Sequence, residues 1–433
     1  MPVAAASLPV ADGVGLPWDV ETRDAVEAIG AARRRIGDTF VVESGRDHYL
    51  FTFSAAGVES FYALPEESAS KGLADYLMLR RKLPEELFAG RRTLPGTLFR
   101  RDDVTSYLAN LERALDHTDV ELGERGEVEL FEMTRRLGHR MGLASWAGPG
   151  CSDGTAFERL VAAFDALDGS DAFVHPDAMA AIAASDKRAE RAALEEVVAV
   201  VGDALARGES IAADSLFGRV VGAWADEPAE VRTRGIALDV ALIHIASMSN
   251  LMAALGWALV DLIGHPDVAA RVVDGDTGLA SRCALESTRL AQRSIMSRAV
   301  VTPVEFDTGD AVIEVPAGWT IATLLPLLNT SAAPGLERWA PDRWNRYRLA
   351  DTRVLDSPML VTAFGHGKHS CPAQPFSLSA MTTAMIRLLS RYEITPQWRR
   401  YPRPVPQQIG GVARSRDECR VEYVRFGHAE GRS

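Results

Sequence analysis

Residues 21–36 carry apolar positions at helical spacing, and the chain then changes period. Residues 39–43 and 48–53 alternate about Ser44-Gly45-Arg46-Asp47, which predicts a strand, a turn and a strand. A short helix is expected over 57–64 and a longer one over 102–122, with Asp102 as its N-cap. Helical spacing dominates from there to His265, and 186–206 is strongly amphipathic. Residues 279–292 read as another helix. Between 300 and 321 the pattern alternates again, broken at Gly309-Asp310 and Pro316-Ala317-Gly318, which predicts a small sheet. Residues 334–348 are irregular, 377–392 form a last long helix, and 399–426 read as loops and short strands. The fold class expected is mainly α with a minor β region drawn from both ends of the chain. Length alone suggests more than one domain. Without a Pro/Gly/Ser linker, the reading is a lead-in over 1–20 and a single catalytic domain over 21–433.

One stretch invites a membrane reading. Residues 240–260 contain no Asp, Glu, Lys or Arg and are long enough to span a bilayer. Against this, the stretch holds His244, Ser247, Ser249 and Asn250, and Asp239 and Asp261 flank it without a basic cluster. A buried central helix is the expectation. The first 17 residues are small and apolar but lack a basic start, so they read as a loose lead-in, not a signal or anchor.

The formal net charge of −12 argues against nucleic acid as a partner. Cys151, Cys283, Cys371 and Cys419 are widely separated, without zinc-ligand spacing, which fits a reducing, cytoplasmic setting and no disulfide framework.

The sharpest chemical signal is Phe364-Gly365-His366-Gly367-Lys368-His369-Ser370-Cys371. Glycines let the backbone turn tightly and approach a flat ligand. A helix starting just beyond the cysteine favours its thiolate, a soft and strongly donating iron ligand. The bland alternative is a buried structural cysteine in a glycine turn. Glu286 and Arg289 stand three apart on a predicted helix, and such pairs are often merely solvated.

Together these stretches resemble the cytochrome P450 superfamily, whose haem loop reads Phe-Gly-x-Gly-x-His-x-Cys-x-Gly. The match covers Phe364, Gly365, Gly367, His369 and Cys371, with Ala373 in place of the final glycine. Glu286 and Arg289 match the family's Glu-x-x-Arg motif, and Arg343 in Pro341-Asp342-Arg343-Trp344 matches the arginine that completes its buried charge network. Arg298 and His369 stand where family members grip the haem propionates; a surface arginine is the alternative for Arg298. The resemblance runs from about residue 33 to the C-terminus and is weakest between 70 and 230. It implies a triangular, prism-like helical body with small sheets. It further implies haem b (iron protoporphyrin IX) with Cys371 as metal ligand, and a substrate pocket from 68–92, 246–250 and Ile295-Met296.

The departure lies in Ala246-Ser247-Met248-Ser249-Asn250, aligned with the family's Ala-Gly-x-Asp/Glu-Thr. There the acid and the hydroxyl relay protons to dioxygen. Ser249 cannot act as an acid near neutral pH, and Asn250 hydrogen-bonds without relaying protons as a hydroxyl does. Two catalytic readings stay open. One is a monooxygenase with an altered proton relay, acting on a small hydrophobic molecule in natural-product (secondary) metabolism and fed by a ferredoxin- or flavodoxin-type donor near Lys368. The other is a dioxygen-independent catalyst of isomerisation, dehydration, or nitrene- or oxene-like transfer with cyclisation. A non-catalytic haem sensor is the remote third. Ala246, Ser249 and Asn250 are the candidate catalytic positions.

Overall fold

The computed structural model describes residues 2–90, 92–93, 95–207 and 211–427. Its axis is the helix Ala229–Gly264. This helix packs against the helices Leu130–Trp146, Arg188–Ala206, Thr277–Ala291 and Gln374–Arg391. It is apolar nearly all round, and a helix of that kind needs cover on every side. Among the described residues it is the one helix long and apolar enough to cross a membrane, but most of its apolar stretch is buried inside the protein. The expected central helix is therefore present and longer than the uncharged run that signalled it.

Five strands build the main sheet: β1 (Thr39–Ser44), β2 (Asp47–Thr52), β3 (Ala69–Ser70), β4 (Ile295–Val300) and β5 (Thr320–Leu324). Their order is β1-β2-β5-β4-β3, with β2 and β5 parallel and the other pairs antiparallel. Residues from both ends of the chain thus share one sheet, as expected. The alternating stretch expected as one small sheet splits in two. Val304–Asp307 and Val312–Val315 form a separate hairpin, closed by the turn that holds Gly309-Asp310.

Three local expectations are corrected. The first 20 residues are not a loose lead-in: Val3–Ala4 pairs with Ile313 and Glu314, and Leu16 and Trp18 are buried in the core beside the main sheet. Their apolar side chains, too few for a helical pattern, are fixed by tertiary burial. Asp102 caps nothing; it lies in the turn Arg101–Asp103, and the helix starts at Val104. The neighbouring Asp103 is drawn into an ion pair with Arg219. Finally, Arg125–Glu129 interrupts the helical run as a strand, because Arg420–Arg425 supplies a partner nearly 300 residues away. Residues 428–433 of the expected domain lie outside the described residues.

Candidate functional site

A buried carboxylate anchors the site. Glu286 has no solvent exposure and accepts five hydrogen bonds. Arg289 donates two of them, Nε at 2.9 Å and Nη2 at 2.8 Å. Arg343 Nε (2.8 Å), Trp344 Nε1 (2.8 Å) and the Ala340 N–H (3.0 Å) complete the set. Each charge thus loses water but gains matched partners, the condition under which a buried pair is tolerated. The solvated-pair alternative does not hold for Glu286 and Arg289.

From this network a hydrogen-bonded chain runs to the cysteine loop. Arg289 Nη1 donates to the Asn329 carbonyl. The Asn329 side chain then bonds the backbone on both sides: Nδ2 donates to the carbonyls of Arg289 (3.1 Å) and Thr362 (2.9 Å), and Oδ1 accepts from the Thr362 N–H (2.9 Å). Thr362 Oγ1 accepts from the Phe364 N–H and donates to the Gly365 carbonyl. The loop closes with the Cys371 N–H donating to the Phe364 carbonyl at 2.7 Å. Gly365 and Gly367 have φ of +79° and +57°, which L side chains rarely adopt. A Cβ on Gly365 would also collide with the His369 carbonyl oxygen.

Cys371 faces a cavity of about 390 Å3, within the range of small-molecule and cofactor sites. Burial raises the Cys371 thiol above its ordinary value, while the N–H groups of Ala373 and Gln374, at the start of the helix Gln374–Arg391, pull the other way. Ala246, Ser247, Asn250, Leu251 and Ala254 of the central helix line the same cavity. Phe364, Gly365, His369 and Met296 also line it. Ser249 does not: at about 100° per residue it lies roughly 130° from the middle of the cavity-facing stripe. Ile295 and Gly367 are off the wall too; Ile295 sits in the core beside the main sheet. Of the 68–92 segment Lys71 reaches the lining, and Arg91 lies outside the described residues.

Arg298 is fully buried and does not line the cavity itself. Its Nε and Nη2 donate to the carbonyls of Ala69 (2.8 Å) and Leu64 (2.7 Å), and its Nη1 lies 2.6 Å from His369 Nε2. Burial, then the neighbouring Arg298 charge, lowers the His369 pKa, so this imidazole accepts from the guanidinium and stays neutral. His369 and Lys71 both line the cavity, and Arg298 stands behind His369, where it also meets the Glu66 carboxylate at 3.4 Å.

Comparison with known proteins bears on this geometry. No protein-family model matches the chain. The chain is 27 % identical over 212 residues to the human 24-hydroxycholesterol 7-alpha-hydroxylase, covering 42 % of each protein. It is 28 % identical over 226 residues to the mouse form, covering 46 % of this chain and 45 % of that one. It is also 28 % identical over 196 residues to the cytochrome P450 monooxygenase pyr3 of Aspergillus fumigatus, covering 39 % of this chain and 36 % of that one. These similarities support a place for the chain in the cytochrome P450 superfamily. Matched segments span less than half the length of these relatives.

The likeness implies a haem, and the helical body with small sheets described above is consistent with the P450 fold. The residues present fit that group. A cysteine sulfur with two N–H groups aimed at it suits an iron ligand. A glycine loop that a Cβ would block suits a flat ring, and Lys71, with the His369 imidazole also on the lining, suits its carboxylates. Sequence reasoning missed Asn329, Trp344 as a donor to Glu286, and the turn at Gly411-Val412, whose Val412 forms part of the cavity wall. Trp344 stood inside a quoted motif and was within reach; Asn329, in Leu327-Leu328-Asn329-Thr330, offered no local signal.

Proposed function

We propose that this chain is a haem-thiolate enzyme of an atypical P450 branch. It binds haem b through Cys371 and acts on a small hydrophobic molecule in the cytoplasm, in natural-product metabolism. The observation that carries this reading is one cavity lined both by Cys371 and by Ala246, Ser247 and Asn250 of the central helix. When bound, the haem supplies a thiolate-ligated iron centre for redox or bond-cleaving chemistry. The protein's part is positional. Ala373 and Gln374 hold the sulfur, His369 and Lys71 meet the carboxylates with Arg298 holding His369 from behind, and Leu251, Ala254, Met296 and Leu325 exclude water around the substrate. Exposed Lys368, beside the cysteine, is a contact for a ferredoxin- or flavodoxin-type donor.

Monooxygenation with an altered proton relay is the leading reaction, because the named relatives are hydroxylases and monooxygenases. A specific observation favours the dioxygen-independent second reading. Ser249 is off the cavity, and Ser247 donates its hydroxyl back to the Ile243 carbonyl at 2.7 Å, so this part of the wall offers no acid and no free hydroxyl. Turnover assayed with and without dioxygen and with and without an electron donor separates the two. A strict need for both sinks the second reading, and turnover without either sinks the first.

A further inference from the structure

Asn250 is held in one orientation by the far end of the chain. Its Oδ1 accepts the Val412 N–H at 2.8 Å. Gly411 next to it has φ of +61°, and a Cβ there would collide with the Asn250 amide oxygen. The turn itself is stitched down independently. Ile409, Gly411 and Ala413 bond through their backbones to Ile295 (2.9 Å), Arg293 (2.8 Å) and Ala291 (3.1 Å). Trp257 of the central helix donates to the Ala413 carbonyl at 2.6 Å. A backbone N–H can meet only the oxygen of an amide, so this rigid turn fixes which way the Asn250 side chain lies.

The consequence concerns the other half of the amide. Among the described residues Nδ2 has no hydrogen-bond partner. Asn250 is accessible although Met248 and Leu251 beside it are only 1 % and 5 % exposed, and it lines the Cys371 cavity. The neighbouring hydroxyls are already used: Ser247 donates to the Ile243 carbonyl and Thr288 to the Ala284 carbonyl, both at 2.7 Å. The part of the cavity wall formed by the central helix therefore has a free donor at Asn250, with that residue's acceptor occupied.

We propose that Asn250, locked by the Gly411-Val412 turn, is a specificity residue that selects substrates carrying a hydrogen-bond acceptor at the reacting end. A carbonyl, ether or N–O oxygen is the class. This rests on the haem-thiolate reading and adds that the residue in the family's threonine position serves as a one-way donor. Selection arises because an analogue lacking the acceptor leaves the donor desolvated and unpaired.

The test uses the haem-loaded protein, with carbon monoxide as the probe in place of an unidentified substrate. Wild type, Asn250→Leu and Gly411→Ala are compared by the stretching frequency of bound carbon monoxide and by exchange of the Val412 amide. A donor facing the probe lowers the frequency. The wild type is expected below Asn250→Leu, and Gly411→Ala is expected to broaden the band as the amide is freed to flip. The Val412 amide should exchange roughly tenfold faster in both variants, the effect of one lost hydrogen bond. Equal frequencies in wild type and Asn250→Leu, with the thiolate signature intact in both, overturn the proposal and leave the haem reading standing. Absence of a thiolate signature in the wild type overturns the haem reading, and the proposal with it.

Discussion

Asn329→Ala removes the link between the charge network and the cysteine loop without touching a charge or the cavity. Asn329 is fully buried, and its side chain makes three hydrogen bonds, at 2.9, 2.9 and 3.1 Å. At about 1 kcal/mol net for each, the loss is about 3 kcal/mol, and more if the freed Thr362 N–H and carbonyl stay dry. Thr362 also holds Phe364 and Gly365, so the cysteine loop should loosen and the cofactor dissociate faster. Asn329→Asp should be at least as harmful, since a carboxylate would face the carbonyls of Arg289 and Thr362. Urea unfolding of the haem-free protein reads the stability term, and transfer of haem to an apo-acceptor reads the release rate. A change below about 0.5 kcal/mol, typical of a surface position, together with unaltered release would refute the reasoning.

Four further outcomes are expected. Cys371→Ala should abolish the thiolate signature of the reduced, carbon-monoxide-bound protein and leave the haem-free chain folded; a persisting signature means another ligand. Glu286→Ala should cost roughly 3–5 kcal/mol by leaving buried Arg289 uncompensated, and a normally melting, haem-loaded variant would show the pair to be dispensable. His139 and His244 lie 2.9 Å apart in the core, and burial holds both below the ordinary histidine range. The unfolded chain takes up these protons first, so stability should fall as pH drops below about 6.5. Replacing both with Gln should flatten that part of the pH–stability curve, and an unchanged slope would contradict the assignment. Asp261 behaves oppositely: burial raises it to about 6, despite bonds from Ser287 and Tyr401, so its contribution is lost as pH rises from its unfolded value through 6. Asp261→Asn should therefore stabilise the protein at neutral pH by up to about 3 kcal/mol, at about 1.4 kcal/mol per unit, and should gain nothing at pH 4.

Much of the site was legible because its parts are constrained locally. Two glycines with positive φ, a cysteine and a helix start lie within a dozen residues, so the loop announces itself along the chain. Glu286 and Arg289 are neighbours on one helix turn. The helices were legible for the same reason, since their apolar period is a property of consecutive residues: 186–206 was expected and Arg188–Ala206 is observed. What escaped depends on distant partners. Arg125–Glu129 carries little apolar pattern and is a strand because Arg420–Arg425 lies beside it.

Asn250 shows the limit most clearly. Its chemistry, that of an amide unable to relay protons, could be read from its residue type. Its orientation could not, because that is set by Val412, 162 residues away. The same holds for Ser249, which aligns with the family's acid yet falls outside the cavity lining. The residue at an aligned position therefore decides two things: what proton chemistry its side chain allows, and which atom the helix offers to a ligand. If only the first mattered, the C-terminal turn would need no close contact with residue 250. Gly411 removes the Cβ that would block that contact, so the turn and the asparagine act as one device. At Asn250 the departure from the acid–hydroxyl pair is thus matched by contact with a second, distant part of the fold.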